Sequence, residues 1–87
     1  MDLTTAVHEI NGQTINIFPN PTTDIIYILT DSSIDFKIDL YDIHGKHLLR
    51  QTSGQLDLSR FTNGVYLLSL TTNEGSPPII ERIVLSK

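Results

Sequence analysis

The carboxylates of Asp31, Asp35, Asp39 and Asp42 fall close together in an 87-residue chain, and the first chemistry to weigh is calcium binding. A calcium loop presents oxygen ligands at short, regular intervals around a turn glycine. These four lack both the spacing and the glycine, and on an alternating strand Asp35 and Asp39 read as a solvated face. His44 and His47 bracket the HGKH segment. A zinc site needs further ligands nearby, and exposed turn histidines are the better reading. Serine, histidine and aspartate all occur, yet no serine sits in a nucleophile elbow and no glycine-rich phosphate cradle is present. Tyr41 and Tyr66 offer a weak sugar platform in a chain without tryptophan. Spacing and residue type therefore assemble no catalytic site, and no metal or cofactor is expected.

Size and charge narrow the classes further. A chain of 87 residues holds one core. With 39% apolar and 18% charged residues it is globular in composition rather than disordered. The net charge of -4 and pI near 5.0 argue against nucleic acid or an anionic membrane as partner. Cysteine is absent, which excludes a disulfide framework and a thiol nucleophile. The first residues lack the basic and apolar regions of a secretory signal, so a secreted parent is expected to supply one upstream.

The elements that must position any site are strands. Residues 64–72 (GVYLLSLTT) follow Asn63-Gly64 and are apolar on both faces at the start, with Tyr66, Leu68 and Leu70 on one side and Val65 and Leu67 on the other. That predicts a central strand. Residues 1–13 show no sustained period and are read as a lead-in, leaving 14–87 as the folded domain. Ile15 and Ile17 mark a short strand over 14–18, stopped by Pro19-Asn20-Pro21 because proline fixes φ and removes a donor. In this corner Thr22, Thr23 or Asp24 can bond turn amides. Residues 25–30 (IIYILT) are continuously apolar and predict a strand buried on both faces. Asp31-Ser32-Ser33 reads as a turn.

Residues 35–43 (DFKIDLYDI) alternate strictly, Phe36, Ile38 and Leu40 inward against Lys37, Asp39 and Tyr41 outward. His44-Gly45 turns the chain into a strand over 46–51, with Gly45 supplying positive φ. A short run holding Leu56 and Leu58 follows Ser53-Gly54. Residues 73–78 read as a loop and 79–86 as the last strand. About seven short strands with turn signals between them and no helical period predict an all-β, Greek-key, immunoglobulin-like sandwich.

Four segments, PNPTTD at 19–24, LYDIHGK at 40–46, LDLSRFTNGVYLLSL at 56–70 and ERIVLSK at 81–87, make the chain resemble the type A C-terminal sorting domains of type IX secretion. The resemblance covers 15–87. It implies an address label at the end of a larger cargo protein of a Gram-negative bacterium, exported to the periplasm and then to the cell surface or medium. The implied partners are the outer-membrane translocon, its shuttle protein and a sortase-like peptidase that removes the domain, with cleavage expected within 1–13.

Position by position, Pro19, Asn20, Pro21 and Asp24 match the first motif, and Asp42 and Gly45 the hairpin motif. Gly64, Val65 and Tyr66 match the third. Arg82, where the resemblance leads one to expect lysine, and Lys87 match the basic positions of the last. For Gly64, Val65 and Tyr66 the resemblance leaves fold maintenance and recognition both open. For Arg82 and Lys87 it favours recognition. A carbohydrate-binding or adhesive module of a secreted enzyme, and a plain structural spacer, are the alternatives.

Overall fold

The computed structural model describes residues 4–10, 13–30, 35–72 and 77–87. The expected turn at Asp31-Ser32-Ser33 and the loop over 73–76 lie outside the described residues. Among the described residues, eight antiparallel strands form two sheets. One sheet has the order β1 (Thr4–Ile10), β2 (Gln13–Asn20), β3 (Ile25–Thr30), β6 (Gln55–Asp57). The other has the order β5 (His47–Gln51), β4 (Phe36–Asp42), β7 (Gly64–Thr72), β8 (Ile79–Leu85). Each sheet thus takes strands distant in sequence, and the chain crosses between sheets after β3, β5 and β6. That is the connectivity of an immunoglobulin-like sandwich.

The seven strands expected are present as β2 to β8, and β7 is internal to its sheet, bonded to β4 and β8. Its inward residues Tyr66, Leu68 and Leu70 meet Ile38 and Leu40 from β4 and Ile79, Ile83 and Leu85 from β8 in one core. The facing sheet contributes Ile15, Ile17, Ile26, Ile28 and Leu56, with Leu58 just beyond β6. Nearly all of these are aliphatic and fully enclosed, so burial of branched side chains between two pleated faces is the main favourable term.

Three expectations are corrected. Residues 4–10 are strand, not lead-in: β1 pairs with β2 from Ile10↔Gln13 to Thr4↔Asn20, so the sheet gains an edge strand. Strand β2 continues through Pro19 to Asn20 rather than stopping at it. The partner register slips between Thr4 and Ala6, an irregularity of the kind that tolerates a residue without an N–H. Strand β3 is buried on one face only. Ile26 and Ile28 point to the core while Tyr27 and Leu29 are exposed, because only the inner face of this sheet is covered.

Leu68 sits at the centre of β7 with no exposed surface. Leu68→Ala should lower unfolding stability by about 2–5 kcal/mol, read from urea denaturation. A loss near zero would contradict this packing.

Candidate functional site

The corner after β2, the β4–β5 hairpin, the connector from β6 to β7 and the end of β8 all fall at one pole of the sandwich. This follows from register: Ile25 pairs with Asp57, Asp42 with Tyr66, and Gly64 with Leu85. The four segments singled out in the sequence are thereby brought to one end of the fold, with Arg82 set back along β8.

Thr22 joins the two sheets there. Its N–H donates to the Val84 carbonyl and its carbonyl accepts from the Ser86 N–H, both at 2.8 Å, forming a parallel bridge to Leu85. The side chain is buried; Oγ1 donates to the Ile25 carbonyl at 2.8 Å and accepts from the Asp24 N–H at 3.2 Å. Of the three corner residues left open by the sequence, the structure selects Thr22 to bond the turn. Pro19 and Pro21, half-buried on either side, set the extended path, and the Phe18–Pro19 peptide bond is cis. Asn20 pairs with Thr4 through the strand register. Asp24 keeps its side chain exposed while its carbonyl accepts from the Leu58 N–H at 2.8 Å, tying the corner to the connector.

The connector is built from local bonds. Asp57 Oδ1 accepts from the Ser59 N–H at 2.9 Å, a bond that holds its carboxyl below the ordinary aspartate range. Phe61 packs on the core margin against the Tyr66 ring, with centroids 5.9 Å apart. The Tyr66 hydroxyl donates to the Thr62 carbonyl, four residues upstream. That is the arrangement of a tyrosine corner at a strand entry of an immunoglobulin-like sandwich. Tyr66 is therefore a buried brace and forms no sugar platform with Tyr41. Gly64 has φ 154, a backbone conformation that glycine alone adopts readily.

Lys87 reaches back across the same end. Its Nζ donates to the Ser59 and Phe61 carbonyls, both at 2.6 Å, and its N–H donates to Asn63 Oδ1 at 2.9 Å. The terminal ammonium thus caps carbonyls that the connector leaves unpaired by strand bonding. At the hairpin, Asp42 Oδ1 accepts from the N–H groups of His44 and Lys46, at 2.8 and 2.9 Å. The Lys46 amide, then that of His44, draws its carboxyl below the usual range. Gly45 takes φ 86 to close the turn.

One carboxylate departs from the solvated-face expectation. Asp39, on the outward face of β4, is only 6% exposed. Arg50 Nε and His47 Nε2 both contact its Oδ1 at 2.8 Å, folding over it from β5. Register explains the burial, since Arg50 lies directly opposite Asp39. His47 is accordingly a partner of Asp39 rather than a bare turn residue. Ser69 faces Asp39 from the β7 side, across the carboxylate from His47, so the three do not form a nucleophile–base–acid series. Among the described residues, no three His, Cys, Asp or Glu side chains form a group able to hold a metal ion.

What the pole and sheets define is an immunoglobulin-like module in which the recurrent features are strand junctions and bonded ends. A family model described as secretion system C-terminal sorting domain matches residues 16–86. The chain belongs to that family of type IX sorting domains. A search of curated proteins finds no match. Membership makes it a C-terminal sorting signal of a non-catalytic signal family. It also implies attachment to a cargo protein, interaction with the type IX machinery, and secretion to the cell surface or extracellular space.

Burial alone would raise the Asp39 pKa, but the hydrogen bonds from Arg50 and His47 outweigh it and the net shift is downward from 3.8. A carboxyl with a depressed folded-state pKa contributes stability above its unfolded value, and that contribution is lost as pH falls through the folded-state value. Asp39→Asn should therefore cost about 1 kcal/mol at pH 7, modest because Arg50 and His47 are largely exposed. The gap to the unsubstituted chain should narrow below pH 3.8, in denaturation curves taken across that range. A gap independent of pH would contradict the ion-pair account.

Proposed function

We propose that residues 14–87 act as a folded address label that the outer-membrane translocon and its shuttle protein read, after the parent cargo has been exported to the periplasm. The observation that carries this reading is the joining of the corner at 19–24, the connector at 58–63 and the end of β8 through Thr22 and Lys87. Four short segments that carry the family resemblance are then parts of one rigid end, not separate contacts. Within it, Tyr66, Gly64 and Gly45 serve the fold. Pro19, Asn20, Pro21, Asp24, Asp42 and Lys87 give the pole its shape, and Arg82 supplies exposed charge on β8.

In this reading the domain is a substrate and not an enzyme. A sortase-like surface peptidase then removes it, leaving the cargo anchored or released. Processing within 1–13 has a structural requirement, because Thr4–Ile10 is bonded to β2 along its length. A peptidase acting on that segment must first separate β1 from the sheet, since a protease binds its substrate as an unpaired extended strand.

A periplasm-exported fluorescent reporter fused ahead of residues 1–87 should reach the surface or medium in a strain with a working type IX system. It should stay in the periplasm of a translocon-deficient strain. Deleting residues 82–87 should abolish release in the first strain. Retention of the folded, intact fusion in both strains would sink the reading.

A further inference from the structure

We propose that β1 is a detachable latch: it leaves β2 by itself while the rest of the sandwich stays folded, and its release gates removal of the domain. The inference deepens the sorting-signal reading and rests on it.

Among the described residues, the only ladder of β1 runs to β2, at the end of its sheet. The core residues from Ile15 to Leu85 already join two facing sheets, so the sandwich has an enclosed centre without β1. The family match divides the chain in the same way, beginning only at residue 16. Strand β1 is thus an addition to a fold that the later strands complete. Register puts Ala6 opposite Ile17, His8 opposite Ile15 and Ile10 opposite Gln13. Only one of these three β1 residues is large and apolar, and it stands against a polar partner. By residue type, β1 therefore adds less apolar burial than a strand such as β7.

The ladder is weakest at its pole end. Between the Thr4–Asn20 and Ala6–Ile17 pairs, Phe18 and Pro19 of β2 stand against Thr5 alone. Pro19 has no N–H, so a donor is missing where the register slips. Thr4 is also the end of β1 nearer the cargo, which precedes a C-terminal signal. Opening accordingly starts on the cargo side and runs towards the Ile10–Gln13 pair. The last strand is treated differently, since Thr22 bonds Val84 and Ser86, and Lys87 bonds Ser59, Phe61 and Asn63. One terminal strand is locked and the other is hinged. An edge strand held on one side opens locally at lower cost than the whole domain unfolds. A peptidase cleft takes an unpaired extended strand, so pairing with β2 hides 4–10 until β1 opens.

A disulfide clamp tests this in the full chain, because Val7 and Asn16 are directly paired, Val7 is 61% exposed, and the chain has no cysteine of its own. Directly opposed strand residues lie close enough for a bridge, and mass measurement confirms that it has formed. Purified residues 1–87 treated with subtilisin should be cut within 4–10 while 13–87 stays intact. The oxidised Val7→Cys/Asn16→Cys variant should resist that cut, and reduction should restore it. Val7→Gly should be cut about fivefold faster, the scale set by strand propensity when cleavage follows the open population. Leu29→Gly, a matched change at an exposed position of β3, should leave the rate unchanged. Equal cutting with and without the clamp, or equal acceleration by Leu29→Gly, would overturn the latch, the second by showing that cutting needs global unfolding.

The second arm uses the exported reporter fusion in a strain with a working type IX system. The unsubstituted fusion should be secreted and cut within 4–10, and the oxidised clamped fusion should be secreted with its domain still attached. A cut upstream of Thr4, or normal removal of the clamped domain, would overturn the gating role. Retention of the clamped fusion alone would assign β1 release to export and contradict the proposal. Retention of the unsubstituted fusion would overturn the sorting reading and the gating role with it, whereas the subtilisin result fails or stands on the latch alone.

Discussion

The rest of the structure depends on a pair of backbone hydrogen bonds between Thr22 and the last strand. The two sheets of a sandwich share only side-chain packing unless some segment crosses between them, and Thr22 is bonded to Val84 and Ser86 from the opposite sheet. Those two bonds fix the end of β8, which would otherwise be an open edge. With that end fixed, Lys87 is within reach of the connector carbonyls, and the connector in turn reaches Asp24 through Leu58. The buried Thr22 hydroxyl completes the arrangement by satisfying the corner from inside. A proline on each side of Asn20 makes sense in this light, since an extended, low-entropy corner costs less to hold against β8 than a flexible one.

The second organising feature is that β7 is apolar on both sides, and the two sides serve different ends. The inward set of Tyr66, Leu68 and Leu70 belongs to the core. The outward set of Val65 and Leu67 meets Tyr41 and Val84 across the sheet and remains half-buried. Asp39 is enclosed in that same outer layer, with its charge answered locally by Arg50 and His47. A buried carboxylate without such partners would be costly, so the arrangement couples the register of β5 to that of β4.

Much of the architecture was legible because it rests on local patterns. The alternation of Phe36, Ile38 and Leu40, the Asn63-Gly64 entry to β7 and the glycine at the hairpin each announce their element within a few residues. What escaped the sequence depends on partners far along the chain. Strand β1 is an example: His8 occupies the register position opposite Ile15 and breaks the apolar alternation. A usable signal was nevertheless there, since Asn11-Gly12 lies between the paired Ile10 and Gln13, and that dipeptide is a strong marker of a two-residue hairpin. The run Ile25 to Thr30 misled for the opposite reason. Exposed Tyr27 and Leu29 give it the composition of a strand buried twice, and composition does not say whether a second layer exists.

The candidate site divides the same way. The motif positions were readable through family resemblance, but their assembly into one end was not, because Thr22 bonds residues 62 or more positions away and Lys87 bonds residues 24 to 28 positions away. Lys87 illustrates the difference. Sequence reasoning treats it as a terminal charge for recognition, whereas its ammonium is held by two carbonyls of the connector. The central claim is that these bonds make the pole a single cooperative unit. Amide hydrogen exchange on residues 1–87 tests it most directly. The account predicts that the Thr22, Leu58 and Ser86 amides are protected alongside the core of β7, and that Thr22→Ala with Lys87→Met deprotects all three together. Rapid exchange of Ser86 and Thr22 in the unsubstituted chain, with β7 protected, would contradict it.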